Sequence, residues 1–235
     1  RDDVESRGLG DVYKRQFLLM MRGIAIVLRW KMVRRLLQLY IGLVLYGVST
    51  ALFVHANLGA DPWDVFHLGI GNQFNLDFGT VMILTGAAVL LLWIPLRQMP
   101  GLGTVSNVIV LGLAANATLA ILPPLESLVA RSLLLAGAIV LNALATGMYI
   151  GAGFGPGPRD GLMTGLHART GWSLRGIRTA IELSVLLIGW MMGGKFGVGT
   201  VLYAITIGPL IQLCLPWFHQ SAARKALAKP GEAIS

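Results

Sequence analysis

The two halves of this chain repeat one another at a fixed spacing of 96 residues, so that position 59 matches position 155. Residues 59–64 read Gly-Ala-Asp-Pro-Trp-Asp, and residues 155–160 read Gly-Pro-Gly-Pro-Arg-Asp. The matched pairs are Gly59 with Gly155, Pro62 with Pro158 and Asp64 with Asp160. A Gly-x-Gly-Thr-Val stretch at residues 101–105 recurs at residues 197–201 in the same register. This shared register indicates an internal duplication, so the fold must contain one unit twice.

Long apolar stretches place both copies in a membrane. Of the 235 residues, 55% are hydrophobic and 13% are charged, whereas a soluble domain carries about 25% charged residues. Stretches of about 20 apolar residues are long enough to cross a bilayer as helices. Six spans are predicted: residues 36–55, 78–96, 105–122, 133–150, 177–192 and 198–218. The single cysteine, Cys214, excludes an internal disulfide.

The start of the chain needs separate treatment. The sequence Asp-Val-Tyr-Lys-Arg-Gln at residues 11–16 resembles the translation of a synthetic transposon end. We therefore expect residues 1–16 to be a disordered sequencing artefact, to be left out of fold reasoning. The alternative is a genuine polar tail. Met32 is the favoured native start, with Met20 and Met21 as alternatives.

The predicted repeats comprise residues 32–122 and residues 123–218, followed by a tail at residues 219–235. With six crossings, the basic residues divide unevenly between the two sides of the membrane. One side receives ten of them: Arg34, Arg35, Arg97, Arg159, Arg169, Arg175, Arg178, Arg224, Lys225 and Lys229. The other side receives Arg131 and Lys195. Because Lys and Arg concentrate in cytoplasmic loops, both termini are predicted to be cytoplasmic.

Three spans in each repeat imply that the second copy enters the membrane from the opposite side. The copies are then related by a pseudo-two-fold axis in the membrane plane, as in many secondary transporters. Residues 59–77 and 155–175 each predict a short helix that opens at its proline. The predicted fold is an all-α polytopic membrane protein of six transmembrane helices in two inverted three-helix repeats, each with a short re-entrant or broken helix.

Two interpretations of these short helices stay open. Irregular backbone at membrane depth is tolerated only where protein or a water-filled cavity satisfies it. One interpretation is therefore a pair of re-entrant helices that share a cavity for a substrate or an ion. The other is a pair of ordinary surface loops whose glycines and prolines only make turns.

The run Gly-Pro-Gly-Pro-Arg-Asp-Gly-Leu at residues 155–162 also carries a family resemblance. With the Gly-x-Gly-Thr-Val loops, it resembles the YczE-type bacterial membrane proteins, which are related to the YitT family. The resemblance extends over nearly all of residues 32–218. It implies an integral inner-membrane protein and suggests transport, but it supplies no agreed substrate or catalytic residues. We assign the motif backbone to Gly59, Pro62, Gly155, Gly157, Pro158 and Gly161.

Asp64 and Asp160 are the first candidates for a substrate or ion path. An ionised carboxylate at membrane depth is costly, so each should be paired, protonated or in water. They would handle a proton or a cation. The alternative is that each caps backbone N–H groups at the start of a short helix.

Three further residues are candidates for the same path. Arg159 has Trp63 as its counterpart in the first repeat, and its guanidinium could hold an anionic group of a substrate. It could equally be a positive-inside residue at the headgroups. Glu182 is an acid inside a predicted span, which makes it a functional candidate. Arg178 lies four residues earlier, so an i,i+4 ion pair is the alternative role for Glu182.

The sequence predicts a secondary transporter or permease of a small solute, working by alternating access of the two repeats. The competing hypothesis is a membrane scaffold or an accessory subunit that does not transport. No nucleophile-base constellation, Walker sequence, dinucleotide fingerprint or zinc spacing is present. We therefore expect no enzyme activity, no cofactor and no metal. The expected partners are the lipid bilayer and a small molecule or ion, with no nucleic acid, and a homo-oligomer is an open alternative.

Overall fold

The computed structural model describes the backbone of residues 2–218, and the side chains from residue 28 onwards. All regular structure in the described part of the chain is helical. The helices are α1 (Asp2–Ala56), α2 (Pro62–Phe74), α3 (Phe78–Leu96), α4 (Leu102–Ile121), α5 (Leu128–Ala152), α6 (Pro158–Thr170), α7 (Leu174–Met191) and α8 (Val198–Phe218).

The chain divides into two compact units. The first, Arg1–Leu37, contains the first part of α1, and the second, Gln38–Ser235, contains the rest of α1 and helices α2 to α8. Because α1 begins at Asp2, its backbone is helical over residues 2–16, where we expected disorder. The predicted tail at residues 219–235 lies outside the described residues.

Five helices are long and apolar enough to cross a membrane. These are Leu28–Ala56, Phe78–Leu96, Leu102–Ile121, Leu128–Ala152 and Val198–Phe218. Large apolar side chains cover their outer faces, as at Leu91 and Leu133, which are 65% and 69% exposed. Lipid tails would cover such surfaces in a bilayer.

The predicted span at residues 177–192 differs from the other five. It corresponds to α7, an 18-residue helix that carries Arg175, Arg178 and Glu182. Three charged residues in so short a helix keep α7 out of the set that could cross a membrane by length and composition. The structure therefore supports five of the six predicted spans by this criterion.

The helix boundaries recur at the spacing of the sequence duplication. Helices α2, α3 and α4 begin at residues 62, 78 and 102, and α6, α7 and α8 begin 96 residues later, at 158, 174 and 198. The left-handed backbone conformations recur in the same way. In the described residues they form four pairs: Asn57 with Gly153, Gly59 with Gly155, Asn75 with Gly171, and Arg97 with Gly193. Both halves therefore turn the chain in the same way at the same places.

The two short helices begin at their prolines, as the sequence predicts. Pro62 and Pro158 occupy the first turn, where the missing N–H costs nothing. In α2 the capping hydrogen bond comes from Asp61, whose Oδ1 accepts from the Asp64 N–H at 2.6 Å. Gly157 is the N-cap of α6 and offers no side chain for this bond.

Each short helix packs against the third helix of the other half, α2 on α7 and α6 on α3. A glycine allows the close approach in each contact, on the short helix α6 in one contact and on α7 in the other. In one, the Trp93 ring of α3 fills the space where a Cβ of Gly161 would lie. In the other, Gly189 of α7 lets the helix approach the backbone of Val65 and Phe66. The two halves are therefore interlocked, which brings both proline motifs to one region.

Candidate ligand-binding cavity between the two short helices

The loop before each short helix is held by the glycine motif of the opposite half. The Gly103 N–H donates to the Phe154 carbonyl oxygen at 2.9 Å, and the Gly199 N–H donates to the Leu58 carbonyl oxygen at 2.8 Å. Side chains larger than hydrogen would clash here, because a Cβ on Gly101 would overlap the Phe154 carbonyl oxygen. The recurring glycines are thus explained by a backbone-to-backbone contact that the fold makes twice.

A cavity of about 260 Å³ lies between the two short helices and the long helices around them. Its wall combines side chains from both halves. The polar members that matter below are Asp61, Trp63, Thr146, Tyr149, Arg159 and Asp160. The cavity is close to the size of a small ligand pocket and has the few convergent polar groups that such pockets use.

Arg159 joins the two proline motifs. Its Nη1 lies 3.1 Å from Asp61 Oδ2, and its Nη2 lies 3.8 Å from Asp64 Oδ1. The guanidinium also stacks on the ring of Trp63, with 4.9 Å between Cζ and the ring centroid. Both carboxylates are more than nine-tenths buried. A guanidinium with two carboxylate partners and a stacked ring is well compensated for its desolvation.

Asp64 and His67 form a buried titratable pair on α2, outside the five spans. His67 Nδ1 lies 3.4 Å from Asp64 Oδ1, and both residues are only 2% exposed. Burial, reinforced by the charge of Asp61, raises the pKa of Asp64 well above its ordinary value, although Arg159 acts in the opposite direction. Burial and the charge of Arg159 lower the pKa of His67. The pair is therefore suited to carrying one proton and no net charge.

Asp160 has a different environment from its counterpart Asp64. The Tyr149 hydroxyl donates to Asp160 Oδ2 over 3.3 Å, and among the described residues Asp160 forms no ion pair. Asp160 is one of the residues that line the cavity, and Asp64 is not. Neither aspartate provides the side-chain cap of its helix, since that bond comes from Asp61 in α2.

Glu182 also lines the cavity, from α7. Its Oε1 accepts from Arg178 Nε at 2.9 Å, which is the i,i+4 pair that the sequence predicts. The pair neutralises the acid within its own helix. Glu182 is therefore a paired group at the cavity edge.

Two residues of the cavity wall each carry a buried polar atom that has no hydrogen-bond partner among the described residues: Trp63 at Nε1 and Thr146 at Oγ1. Both residues are 6% exposed. Another buried tryptophan and another buried threonine do have hydrogen-bond partners. Trp93 Nε1 donates to the Pro158 carbonyl oxygen at 3.1 Å, and the Thr50 hydroxyl donates to the Tyr46 carbonyl oxygen at 3.0 Å. Buried polar atoms without partners are rare in folded proteins.

The structure brings together most of the residues singled out in the sequence. Trp63, Arg159, Asp160 and Glu182 line one cavity, as do Pro62, Gly157 and Pro158. Gly59 and Gly155 lie in the entry loops with φ of +108° and +118°, and Gly161 packs on a tryptophan. The sequence analysis missed Asp61, Tyr149 and Thr146. An aspartate directly before a helix-opening proline is an N-cap signal, so only Asp61 could have been found in this way.

Comparison with known proteins assigns the chain to a family. Residues 33–216 match the sequence profile described as "Family of unknown function (DUF6198)". The chain belongs to this family. No solved structure matches it.

Two relatives extend over most of the chain. A protein of Bacillus subtilis described as "Uncharacterized membrane protein YczE" is 32% identical over 193 residues, which cover 81% of this chain and 87% of the relative. An "Uncharacterized protein" of Haemophilus influenzae is 40% identical over 177 residues, covering 75% and 81%. The predicted relation to YczE is thus confirmed, and the further relation to the YitT family stays a prediction. With the five candidate spans, this similarity identifies a multi-pass integral membrane protein.

Proposed function

We propose that this protein is a secondary transporter of a small solute, working by alternating access of two inverted repeats in the bacterial inner membrane. In this proposal α7 crosses the membrane as a sixth span, because it is the counterpart of the span α3. The Arg178–Glu182 ion pair lowers the cost of that crossing. Six crossings leave both termini in the cytoplasm, in agreement with the distribution of basic residues.

Two observations support a pseudo-two-fold relation between the halves. The counterparts Trp63 and Arg159 stack directly on each other, and equivalent residues can meet in this way only close to a symmetry axis. The two glycine motifs also hold each other's loops with matching hydrogen bonds. An axis in the membrane plane follows if each half contains three spans, because an odd number of crossings inverts the second half.

The transport proposal rests on a difference between two equivalent helix–helix contacts, which we call seams. They are α3 with α4 in the first half and α7 with α8 in the second half. In the first half α3 and α4 pack closely: Gly112 lies against the Gly79 carbonyl, and Asn116 Oδ1 accepts from the Gly79 N–H at 2.7 Å. In the second half α7 and α8 do not pack along each other. Gly208, the counterpart of Gly112, has open space around it. One closed and one open seam beside a central cavity are what a single state of an alternating-access cycle requires.

Pulsed electron resonance on spin labels tests this proposal without a known substrate. Labels are placed at exposed, equivalent positions after Cys214 has been replaced by serine. One pair is Leu91→Cys with Ile109→Cys, across the closed seam, and the other is Leu187→Cys with Ile205→Cys, across the open seam. Alternating access predicts that each pair populates a shorter and a longer distance in nanodiscs.

The two pairs must also respond in opposite directions. A condition that lengthens the distance across α3–α4 should shorten the distance across α7–α8, because both seams report one equilibrium. A single, unchanging distance for each pair would contradict alternating access. That result would favour the scaffold or accessory role.

A further inference from the structure

One carboxylate in the cavity wall has no cation paired with it among the described residues. The wall carries three acids, Asp61, Asp160 and Glu182, and two guanidinium groups, Arg159 and Arg178. Arg159 is paired with Asp61, and Arg178 is paired with Glu182. Among the described residues Asp160 forms no ion pair, accepts one long hydrogen bond from Tyr149, and interacts with the charge of Arg178 at longer range. A partly buried carboxylate with so little compensation is stabilised by a cation in the cavity.

Arg159 is unsuited to hold an anionic ligand in this arrangement. Both of its nearest carboxylates come from the protein, and Trp63 covers one face of the guanidinium. An anion would have to displace Asp61 and leave that carboxylate buried without a partner. Such a loss is strongly destabilising in buried pairs, so the structure disfavours the anion-binding role considered for Arg159.

The rest of the wall suits a cation that has an apolar body. Tyr46, Tyr149, Tyr203 and Trp63 all line the cavity, and the faces of aromatic rings attract organic ammonium groups.

We propose that this cavity binds a small protonated amine, with its ammonium group at Asp160 and its apolar part against the aromatic side chains of the wall. This inference rests on the proposed transport function for its biological use, since it names the class of solute that would be carried. The aspartate of the second repeat is then the substrate-binding group. Its counterpart Asp64 is paired within the protein.

Three probes of similar size and different charge test the proposal. They are 2-aminoethanol as the cation, glycolate as the anion and ethane-1,2-diol as the neutral compound. Binding to the purified full-length protein in nanodiscs is measured by calorimetry and by the shift in melting temperature. We expect saturable binding of 2-aminoethanol alone.

The variant Asp160→Asn keeps the size and hydrogen-bonding capacity of the side chain but removes its charge. We expect its dissociation constant for 2-aminoethanol to rise about tenfold or more, since charged hydrogen bonds are considerably stronger than neutral ones. Asp77→Asn is the matched control, because Asp77 is exposed, makes no capping bond with its side chain and lies away from the cavity. It should bind as the unmodified protein does.

The outcomes separate this inference from the transport proposal. No binding of 2-aminoethanol, binding of glycolate instead, or equal affinity in Asp160→Asn would each overturn the cation site. Uptake of labelled 2-aminoethanol into proteoliposomes is measured in parallel. Binding without uptake supports the cation site and counts against transport, whereas uptake of glycolate supports transport and overturns the cation site.

Discussion

The ion pair between Arg159 and Asp61 offers the sharpest energetic test of the site. The pair spans 3.1 Å between Nη1 and Oδ2, and the Asp61 side chain is 8% exposed. The variant Asp61→Asn keeps the N-cap of α2, because asparagine caps about as well as aspartate. It removes the partner charge of Arg159, and removing one partner of a buried pair costs about 3–5 kcal/mol. Because the Arg159 side chain is 24% exposed, we expect the lower end of this range, about 3 kcal/mol.

The effect of Asp61→Asn on the free energy of unfolding should depend on whether Arg159 is present. In Arg159→Met the guanidinium is absent, and the Asp61 carboxylate is buried without a cation. Asp61→Asn should then be neutral or stabilising, because it removes an unpaired buried charge. The lost stacking on Trp63 is common to both arms of the cycle and cancels. The two arms should therefore differ by at least about 2 kcal/mol.

The free energy of unfolding is measured in mixed micelles by tryptophan fluorescence for the unmodified protein, both single variants and the double variant. A two-state transition must hold in all four for the cycle to be read. Additivity within about 0.5 kcal/mol would refute the reasoning, because independent sites add to within this margin. Arg159 would then be a surface cation at the headgroups, which is the alternative left open by the sequence.

The remaining predictions concern packing and pH. Gly112→Ala should lower stability by about 1–3 kcal/mol, because its Cβ would clash with the Gly79 carbonyl. Gly208→Ala should be neutral or raise stability by up to about 1 kcal/mol. Equal melting temperatures for the two variants would contradict the difference between the seams. Gly161→Ala should also lower the melting temperature, because its Cβ would clash with the Trp93 ring, whereas Gly137→Ala, with open space around its Cβ, should not. An unchanged melting temperature for Gly161→Ala would show that α6 does not pack on α3 in this way. Because the pKa of Asp64 is raised on folding, its contribution to stability is complete below about pH 4 and is lost as the pH rises through the raised value. Asp64→Asn should therefore gain stability relative to the unmodified protein over that window, and a pH-independent difference in melting temperature would count against the shift.

Much of the architecture could be predicted because the duplication is written in local residues. Gly59 and Gly155 mark the left-handed turns, and Pro62 and Pro158 mark the first turns of the short helices. These signals act within a few residues, so the helix starts follow from them. Whether α7 crosses the membrane was harder to predict, because its apolar face and its charged residues lie on one short helix. Length and average composition then give conflicting indications.

The site could be predicted only in part because its contacts cross between the halves. The sequence pointed to Arg159 but gave no sign that its partner is Asp61, 98 residues earlier. Asp61 has Gly157 as its counterpart, so the repeat comparison directed attention away from it. The hydrogen bond from Tyr149 to Asp160 and the unpaired Thr146 hydroxyl also depend on how α5 and α6 pack. Such contacts have no local signature.

Labelling of equivalent positions from the two sides of the membrane is the most direct test of whether the two halves are inverted copies around one cavity. Gln73 of α2 and Arg169 of α6 are exposed and occupy the same place in their repeats. Each is replaced by cysteine in turn, with Cys214 replaced by serine, and a membrane-impermeant maleimide is applied to intact cells and to inside-out vesicles. We expect Gln73→Cys to react only in cells and Arg169→Cys to react only in inside-out vesicles. Reaction of both from the same side would contradict the inverted arrangement.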